Sequence, residues 1–347
     1  MKRHLLFLAA LLIVNLAASA QKKFSVYAVG FYNQENLFDT CHDEGKKDYE
    51  YLPNKGWNGM KYTNKLRNMS KALADMGTDV LPNVGCAFIG LSEVENHKVL
   101  DALVDQAPLN ARNMKYVHIE GPDRRGIDCA LLYNPSLFSV KNVKLLPYVQ
   151  ELAKDSAFFT RGFLTVRGEM AGDDVGVIVC HWPSRFSGPF YRESAARQVK
   201  VIKDSLLNVN QEMKIFVMGD MNDDPVNKSM HVYLQAKPEI SQVGAGDMYN
   251  PWYNVLAKEG KGTLFYSGNW NLFDQIVITP NLLNKDAKKK DYSSLKYWKS
   301  HIFRRDYLIQ QEGQYKGAPL RTTAGGRWLN GYSDHLPVVM YLVKEKK

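Results

Sequence analysis

Five short segments bring carboxylates, amides and imidazoles to the ends of apolar runs, where a rigid sheet can aim them at one point. Asn33 and Glu35 lie in Tyr32-Asn33-Gln34-Glu35-Asn36, and Glu93 in Leu91-Ser92-Glu93-Val94-Glu95-Asn96. His181 and Arg185 lie in Cys180-His181-Trp182-Pro183-Ser184-Arg185, and Asp220 and Asn222 in Gly219-Asp220-Met221-Asn222-Asp223-Asp224-Pro225. Asp274 follows Phe273, and Asp334 and His335 lie in Ser333-Asp334-His335-Leu336-Pro337. An anionic ester repels hydroxide, so its hydrolysis needs charge neutralised, a water aligned and the leaving oxygen protonated. A hard cation such as Mg²⁺ does the first task and takes oxygen ligands from one or two carboxylates plus water. Glu93, at a strand end, suits that role. Asp220 and Asn222 are two residues apart, so on extended backbone they share a side.

Each piece also has a plainer reading. Asp220, Asn222 and Asp224 have the spacing that opens a calcium loop, but Pro225 stands where that loop needs glycine and His231 where it needs glutamate. Asp274 and His335, taken singly, read as a structural hydrogen-bonded pair. Glu95 reads as a helix-start residue. Arg192, Arg197 and Lys200 read as one solvated helix face, and Trp57 and Trp182 as core or rim aromatics.

The elements that must carry these residues are mostly strands. Alternating or continuous apolar runs predict strands over 24–32, 86–91, 116–119, 128–133, 139–146, 163–169, 175–180, 215–218, 273–278 and 338–343. Leu66, Met69, Leu73 and Met76 recur at helical spacing and end at Gly77, and a second helix covers 192–207. Residues 244–262, with Pro251 and several glycines, read as a long loop or insertion. Many strands with few helices predict an α+β protein of two packed sheets with helices outside.

No stretch of the 347 residues suggests a disordered tail, and 45% hydrophobic with 23% charged residues is ordinary for a globular protein. Lys2 and Arg3, an apolar run over 5–16 and Ala18-Ser19-Ala20 form an export signal over residues 1–20, leaving one domain over 21–347 outside the cytoplasm with no membrane span. Removing Lys2 and Arg3 lowers the formal charge from +9 to +7, which suits anionic partners or simply a solvated surface. Lys285 to Lys290 reads as an exposed loop. Cys41, Cys86, Cys129 and Cys180 match no zinc spacing, and the last three sit in apolar runs as buried thiols.

The five blocks, in this order and spread over residues 24–343, resemble the endonuclease/exonuclease/phosphatase superfamily. The resemblance implies a four-layered α/β sandwich, two mostly antiparallel β-sheets packed face to face with helices on the outside. It implies Glu93 as the metal-binding glutamate, Asn33 beside the metal and the phosphate, and Glu35 and Asp334 as helpers. It implies that Asp220 orients or deprotonates water and that Asn222 holds a phosphate oxygen. Asp274 would pair with His335 as a carboxylate–imidazole couple. His181 matches the second histidine of the deoxyribonuclease-like branch and would protonate the leaving group. Glu120 stands where that histidine's glutamate partner is expected, and Arg185 offers a phosphate clamp.

The activity implied is a metal-dependent phosphoester hydrolysis, Mg²⁺ first with Mn²⁺ or Ca²⁺ as options. The leading reading is a nuclease-type phosphodiesterase on nucleic acid, acting as a monomer without a stable protein partner. A phosphatase or phospholipase-like enzyme on sugar-, inositol- or lipid-phosphates is the alternative. A non-catalytic binding protein that keeps the fold is a third, opposed by the intact set of site residues.

Overall fold

The computed structural model describes residues 23–151, 158–286 and 288–346. The export signal expected over 1–20 therefore lies outside the described residues. Among them, no helix is long and apolar enough to cross a membrane.

The apolar runs form strands β1 (Phe24–Leu37), β2 (Phe88–Val94), β3 (Lys115–His118), β4 (Asp128–Tyr133), β5 (Phe138–Leu146), β6 (Phe163–Met170), β7 (Asp173–His181) and β8 (Lys214–Asp220). Shorter strands follow, β9 (Ala236–Lys237) and β10 (Met248–Tyr249), with a hairpin of β11 (Leu264–Tyr266) and β12 (Asn269–Asn271). Then come β13 (Asp274–Ile278), β14 (Lys296–Ile302), the hairpin β15 (Thr323–Ala324) and β16 (Arg327–Trp328), and β17 (Val338–Glu345). One sheet has the order β14-β17-β1-β2-β4-β3, the other β5-β6-β7-β8-β13-β10-β9. Both are mostly antiparallel, with parallel pairs at β1–β2, β7–β8 and β9–β10.

Strand alternation divides the apolar residues between two faces. Val29, Phe31, Phe88, Val177, Val179, Phe216, Met218, Ile276 and Met340 meet between the sheets. The other face of the first sheet, with Ala28, Ile89 and Leu91, packs on helices α1 (Gly59–Asp75) and α2 (His97–Val104) through Leu66, Met69, Leu73 and Leu100. α3 is the single turn Ala107–Asn110. The other face of the second sheet, with Ile178, Cys180, Ile215 and Val217, packs on α4 (Pro189–Val209) through Ala195, Ala196 and Val199. The layers run helix, sheet, sheet, helix, as the sequence predicts.

α1 starts where Asn58 accepts a hydrogen bond from Lys61 N and stops before Gly77, at φ +81°. The region 244–262 is not a bare loop: it holds β10 and α5 (Trp252–Ala257), with Trp252 buried and its Nε1 donating to Ile276 O at 2.9 Å. All four cysteines are free, and Cys86, Cys129 and Cys180 are buried.

Phe216 is fully buried between the sheets, edge-on to Phe88 with ring centroids 5.6 Å apart. Phe216→Ala is expected to cost about 3–5 kcal/mol of stability, read by denaturant unfolding. A loss below about 1 kcal/mol would mean that the two sheets do not close on this ring.

Candidate active site

At one end the inter-sheet core turns polar without changing face. Along β8 the inward residues are Phe216, Met218 and Asp220; along β7, Val177, Val179 and His181; along β13, Ile278, Ile276 and Asp274. These three strands are neighbours, and His181 and Asp274 each lie abreast of Asp220 in the ladder. Gly219 allows the close approach: a Cβ there would stand 2.2 Å from Cys180 O. From the facing sheet, β1 presents Asn33 two residues beyond Phe31, and Asn33 Nδ2 donates to Asp220 Oδ2 at 3.0 Å.

His335 arrives on the segment that enters β17. Ser333 fixes it, accepting from His335 N at 3.1 Å and donating to Asn33 O at 2.8 Å. His335 Nδ1 lies 2.7 Å from Asp274 Oδ2, and its Nε2 lies 3.9 Å from Asp220 Oδ2. His181 Nε2 stands 3.7 Å from the same Asp220 oxygen and 3.8 Å from Glu93 Oε1. One carboxylate therefore sits between two imidazoles.

Glu93 reaches the site through a backbone irregularity. The β2 register shifts between Ser92 and Val94, and Glu93 has φ +60°. Glu35 (+45°), Asn36 (+55°) and Asn222 (+48°) also occupy the left-handed region. A non-glycine residue there costs about 1–2 kcal/mol, so neighbouring bonds must hold it. Asn36 N donates to Glu93 Oε2 at 2.9 Å, Glu35 N to Asn33 Oδ1 at 2.8 Å and Asn222 N to Asp220 Oδ1 at 2.9 Å. Asn222 Nδ2 is tied to Trp182 O at 2.9 Å.

The charges are unequal by design of position. Burial raises the Asp220 carboxyl to about 7; His335 opposes this, and Asp274 adds to it. Burial works against charge on His335 too, but the Asp274 carboxylate outweighs it and, with Asp334 and Asp220, holds the imidazolium well above the ordinary histidine range. His181 goes the other way. Burial, then Arg161 and Arg125, push it well below that range, so it is neutral near pH 7. Of the two imidazoles, His335 is therefore the one whose surroundings favour a proton, while those of His181, the residue expected to act as acid, disfavour one.

Two further expectations need correction. Glu120 does not reach His181: its side chain is 60% exposed and pairs with Lys46 at 3.5 Å, and His181 Nδ1 has no hydrogen-bond partner. The buried carboxylate nearby is Asp128, held by His118 Nε2 at 3.0 Å and Gly121 N at 2.9 Å. Arg185 is not a free clamp. Its guanidinium is bonded to Asn222 O, Asn271 Oδ1, Asp224 Oδ2 and Asn227 Oδ1 and lies over the Phe273 ring, tying down the loop after β8.

Glu35 spends Oε2 on Thr322 N at 2.6 Å and Oε1 on Arg321 at 3.4 Å, and burial with the nearby Asp334 raises its pKa. Arg321 also pairs with Asp334 at 3.1 Å. Sequence reasoning missed Arg321, Arg125, Arg161 and Ser333. Arg124-Arg125 in a turn closed by Gly126 was the available signal for one of them; nothing local marks Arg321. Arg125 lies 3.7 Å from Glu93 Oε1, and Arg161 joins Trp182 O at 2.8 Å to Asp123 Oδ2 at 3.1 Å.

The donors suit a hard cation. Asp220, Asp274 and His335 offer ligand atoms within 4.8 Å of one another, an acidic and imidazole group able to hold a metal ion. Among the described residues, Asp274 Oδ1 is buried without a partner, and Glu93 Oε1 has only the two longer ionic contacts given above.

The model of the endonuclease/exonuclease/phosphatase family matches residues 28–344. No curated protein matches in sequence. Among solved structures, an endonuclease/exonuclease/phosphatase family protein of Bacteroides thetaiotaomicron matches at TM-score 0.55 and 13% identity, over 94% of this chain and 100% of that one. A mannosyl-6-phosphatase of the same organism matches at 0.55 and 14%, over 91% and 99%. D. rerio TDP2 complexed with single strand DNA product matches at 0.53 and 11%, over 92% and 99%. These likenesses show the fold, and the family match covers nearly the whole chain. The chain belongs to the endonuclease/exonuclease/phosphatase family and is a phosphoester hydrolase.

Proposed function

We propose that this enzyme is a divalent-metal-dependent phosphodiesterase of nuclease type, exported after removal of residues 1–20 and working as one domain over 21–347. One observation carries the choice of diester over monoester. Cavities flank the reactive cluster on both sides: about 720 Å³ beside Asp334 and Arg321, and about 200 Å³ beside Arg125 and Arg161. A diester carries a substituent on each side of phosphorus; a monoester fills only one. The fold does not decide this, since both TDP2 and a mannosyl-6-phosphatase have it.

A Mg²⁺ ion, or Mn²⁺ or Ca²⁺ in its place, would be held by Glu93 with Asn33 and Asp334 beside it and would neutralise phosphate charge, which leaves Asp220, Asp274 and His335, themselves able to hold an ion, for proton transfer. Asp220, fixed by Asn33 and Asn222, aligns the attacking water and accepts its proton. Asn222, anchored on Trp182 O, turns its remaining amide hydrogen toward a phosphate oxygen. His335, oriented by Asp274, donates its Nε2 proton toward the ester oxygens. His181 stays neutral and supplies a hydrogen bond from the opposite side of Asp220.

Chelation with EDTA should abolish hydrolysis of bis-p-nitrophenyl phosphate, and added Mg²⁺ should restore it. Glu93→Gln should raise the Mg²⁺ concentration needed for half-maximal rate; an unchanged requirement would remove Glu93 from the metal. His335→Ala should lower kcat about 10²-fold or more, and a rate near that of the wild type would end the proton-donor role. Arg185→Ala should cost about 1–3 kcal/mol of stability and speed amide exchange over residues 222–227. A raised KM with unchanged exchange would instead restore the phosphate clamp. On duplex DNA the rate should fall steeply with salt; salt-insensitive cleavage would point to small phosphodiesters.

A further inference from the structure

A cavity of about 550 Å³ lies beside the β11–β12 hairpin, and none of the groups placed at the reacting centre lines it. One wall is the cross-strand pair Phe265 and Trp270, with ring centroids 5.2 Å apart. Val255, Ile302, Ala318 and Leu336 extend the apolar lining. Hydrogen bonds hold the surrounding backbone: Lys261 N donates to Val255 O at 3.2 Å, Gly317 N to Gln310 O at 2.8 Å, and Leu336 N to Thr263 O at 2.8 Å. Small-molecule sites are preformed hollows of about 300–1,000 Å³, mostly apolar with a few placed charges. This cavity has that size and that make-up.

Its charges are of one sign. Lys261, Arg304 and Lys316 line it and are exposed, so a ligand can meet them. Glu259, the one acid in the lining, is taken by Lys261 at 2.9 Å. His301 is engaged by Asp79 at 3.4 Å and stacks on Tyr341. Among the described residues, Arg304 and Lys316 have no acidic partner. Gly317, at φ +87°, leaves room for the Arg304 guanidinium, since a Cβ there would stand 3.2 Å from its Nη2. Two cations without a counter-charge beside an apolar hollow match an anion with an apolar body. The planar guanidinium fork fits a carboxylate at two points, and the aromatic wall takes a ring. A cationic ligand would be repelled by both.

We infer that this cavity binds a small aromatic carboxylate, with its ring against Phe265 and Trp270 and its carboxylate on Arg304 and Lys316. The site is apart from the reacting ester, yet it adjoins the segment that carries His335: Leu264 of β11 bridges to His335, and Leu336 belongs to the lining. Phe265 and Ala318 also line the larger cavity beside Asp334, so the two spaces are neighbours. The inference does not depend on which phosphoester is cut.

Isothermal titration of the mature enzyme compares 2-naphthoate with its uncharged counterpart 2-naphthamide. The carboxylate should bind about tenfold more tightly or better, the gain of a charge-assisted contact. Arg304→Gln combined with Lys316→Gln should remove most of that preference. Both side chains are exposed, so thermal unfolding of the double variant should match the wild type. In a proton–nitrogen correlation spectrum, the indole signal of Trp270, assigned by its loss in Trp270→Phe, should move as 2-naphthoate is added. Absence of binding, equal affinity for the two compounds, or a preference that survives the double variant overturns the site. A preference lost in Arg321→Gln but kept in the double variant places the ligand in the cavity beside Asp334 and overturns it as well.

Discussion

The hydrogen bond from Asn33 to Asp220 joins the two sheets at the point where their shared core ends, and the geometry of the site depends on it. Face-to-face sheets lie about 10 Å apart, so side chains from both must meet in the middle. Below this level they meet as Phe88 on Phe216; at it, as amide on carboxylate. His181 and Asp274 follow because they are abreast of Asp220 on adjacent strands. A slip of one residue in either pairing would turn these groups toward α4 and replace them with Cys180 or Gln275. The apolar pattern that closes the core is therefore also what forbids the slip.

This arrangement is costly, and the core supports it. Asp220 and Asp274 are buried with His335, and four non-glycine residues at the site have left-handed backbone. Isolated buried carboxylates would simply take up protons. Here Asp274 is compensated by the His335 imidazolium, while Asp220, shared between an amide, a backbone N–H and two imidazoles, is left near its midpoint at neutral pH. The same crowd of acids that charges His335 does not charge His181, because burial, with Arg161 and Arg125 on that side, acts against a proton there. Two histidines at nearly equal distance from one carboxylate thus have opposite surroundings: His335 Nδ1 meets Asp274, whereas His181 Nδ1 has no such carboxylate partner among the described residues.

That distinction explains what the sequence made legible. Strand alternation is local, so the packed sheets and the strand ends could be read from the sequence, while Asn33, His181, Asp220 and Asp274 are singled out by the family resemblance of the motifs at those ends. Residues whose role depends on distant partners could not. Glu120 and Asp128 are eight positions apart, and only the fold decides that Asp128 is buried against His118 and Gly121 while Glu120 is exposed. Arg185 carries the composition of a clamp, but its acceptors, Asp224, Asn227 and Asn271, come from two other segments. β14 escaped notice because it is an edge strand, half exposed, with lysines and no apolar alternation. The positive φ angles at Glu35, Asn36, Glu93 and Asn222 have no sequence mark at all; asparagine tolerates such backbone, but glutamate gives no hint of it.

The two flanks of the site are chemically different, which gives the cleft a direction. Beside Asp334 the larger cavity has aromatic walls, Phe265, Tyr266 and Tyr315, and its arginine, Arg321, is already neutralised by Glu35 and Asp334. Beside His181 the smaller cavity is lined by Arg124, Arg125 and Arg161, and among the described residues Arg124 has no acidic partner. Aromatic faces suit a base or sugar, and free guanidiniums suit phosphate. A substrate lying across the site would set its less charged portion toward Tyr266 and Tyr315 and continue its anionic backbone past Arg125. Reversal would place phosphate against aromatic rings and an arginine that has no charge to spare, while leaving Arg124 without an anion. On the proposed reading, neutralisation already present within the protein would thus favour one orientation of the substrate over the other.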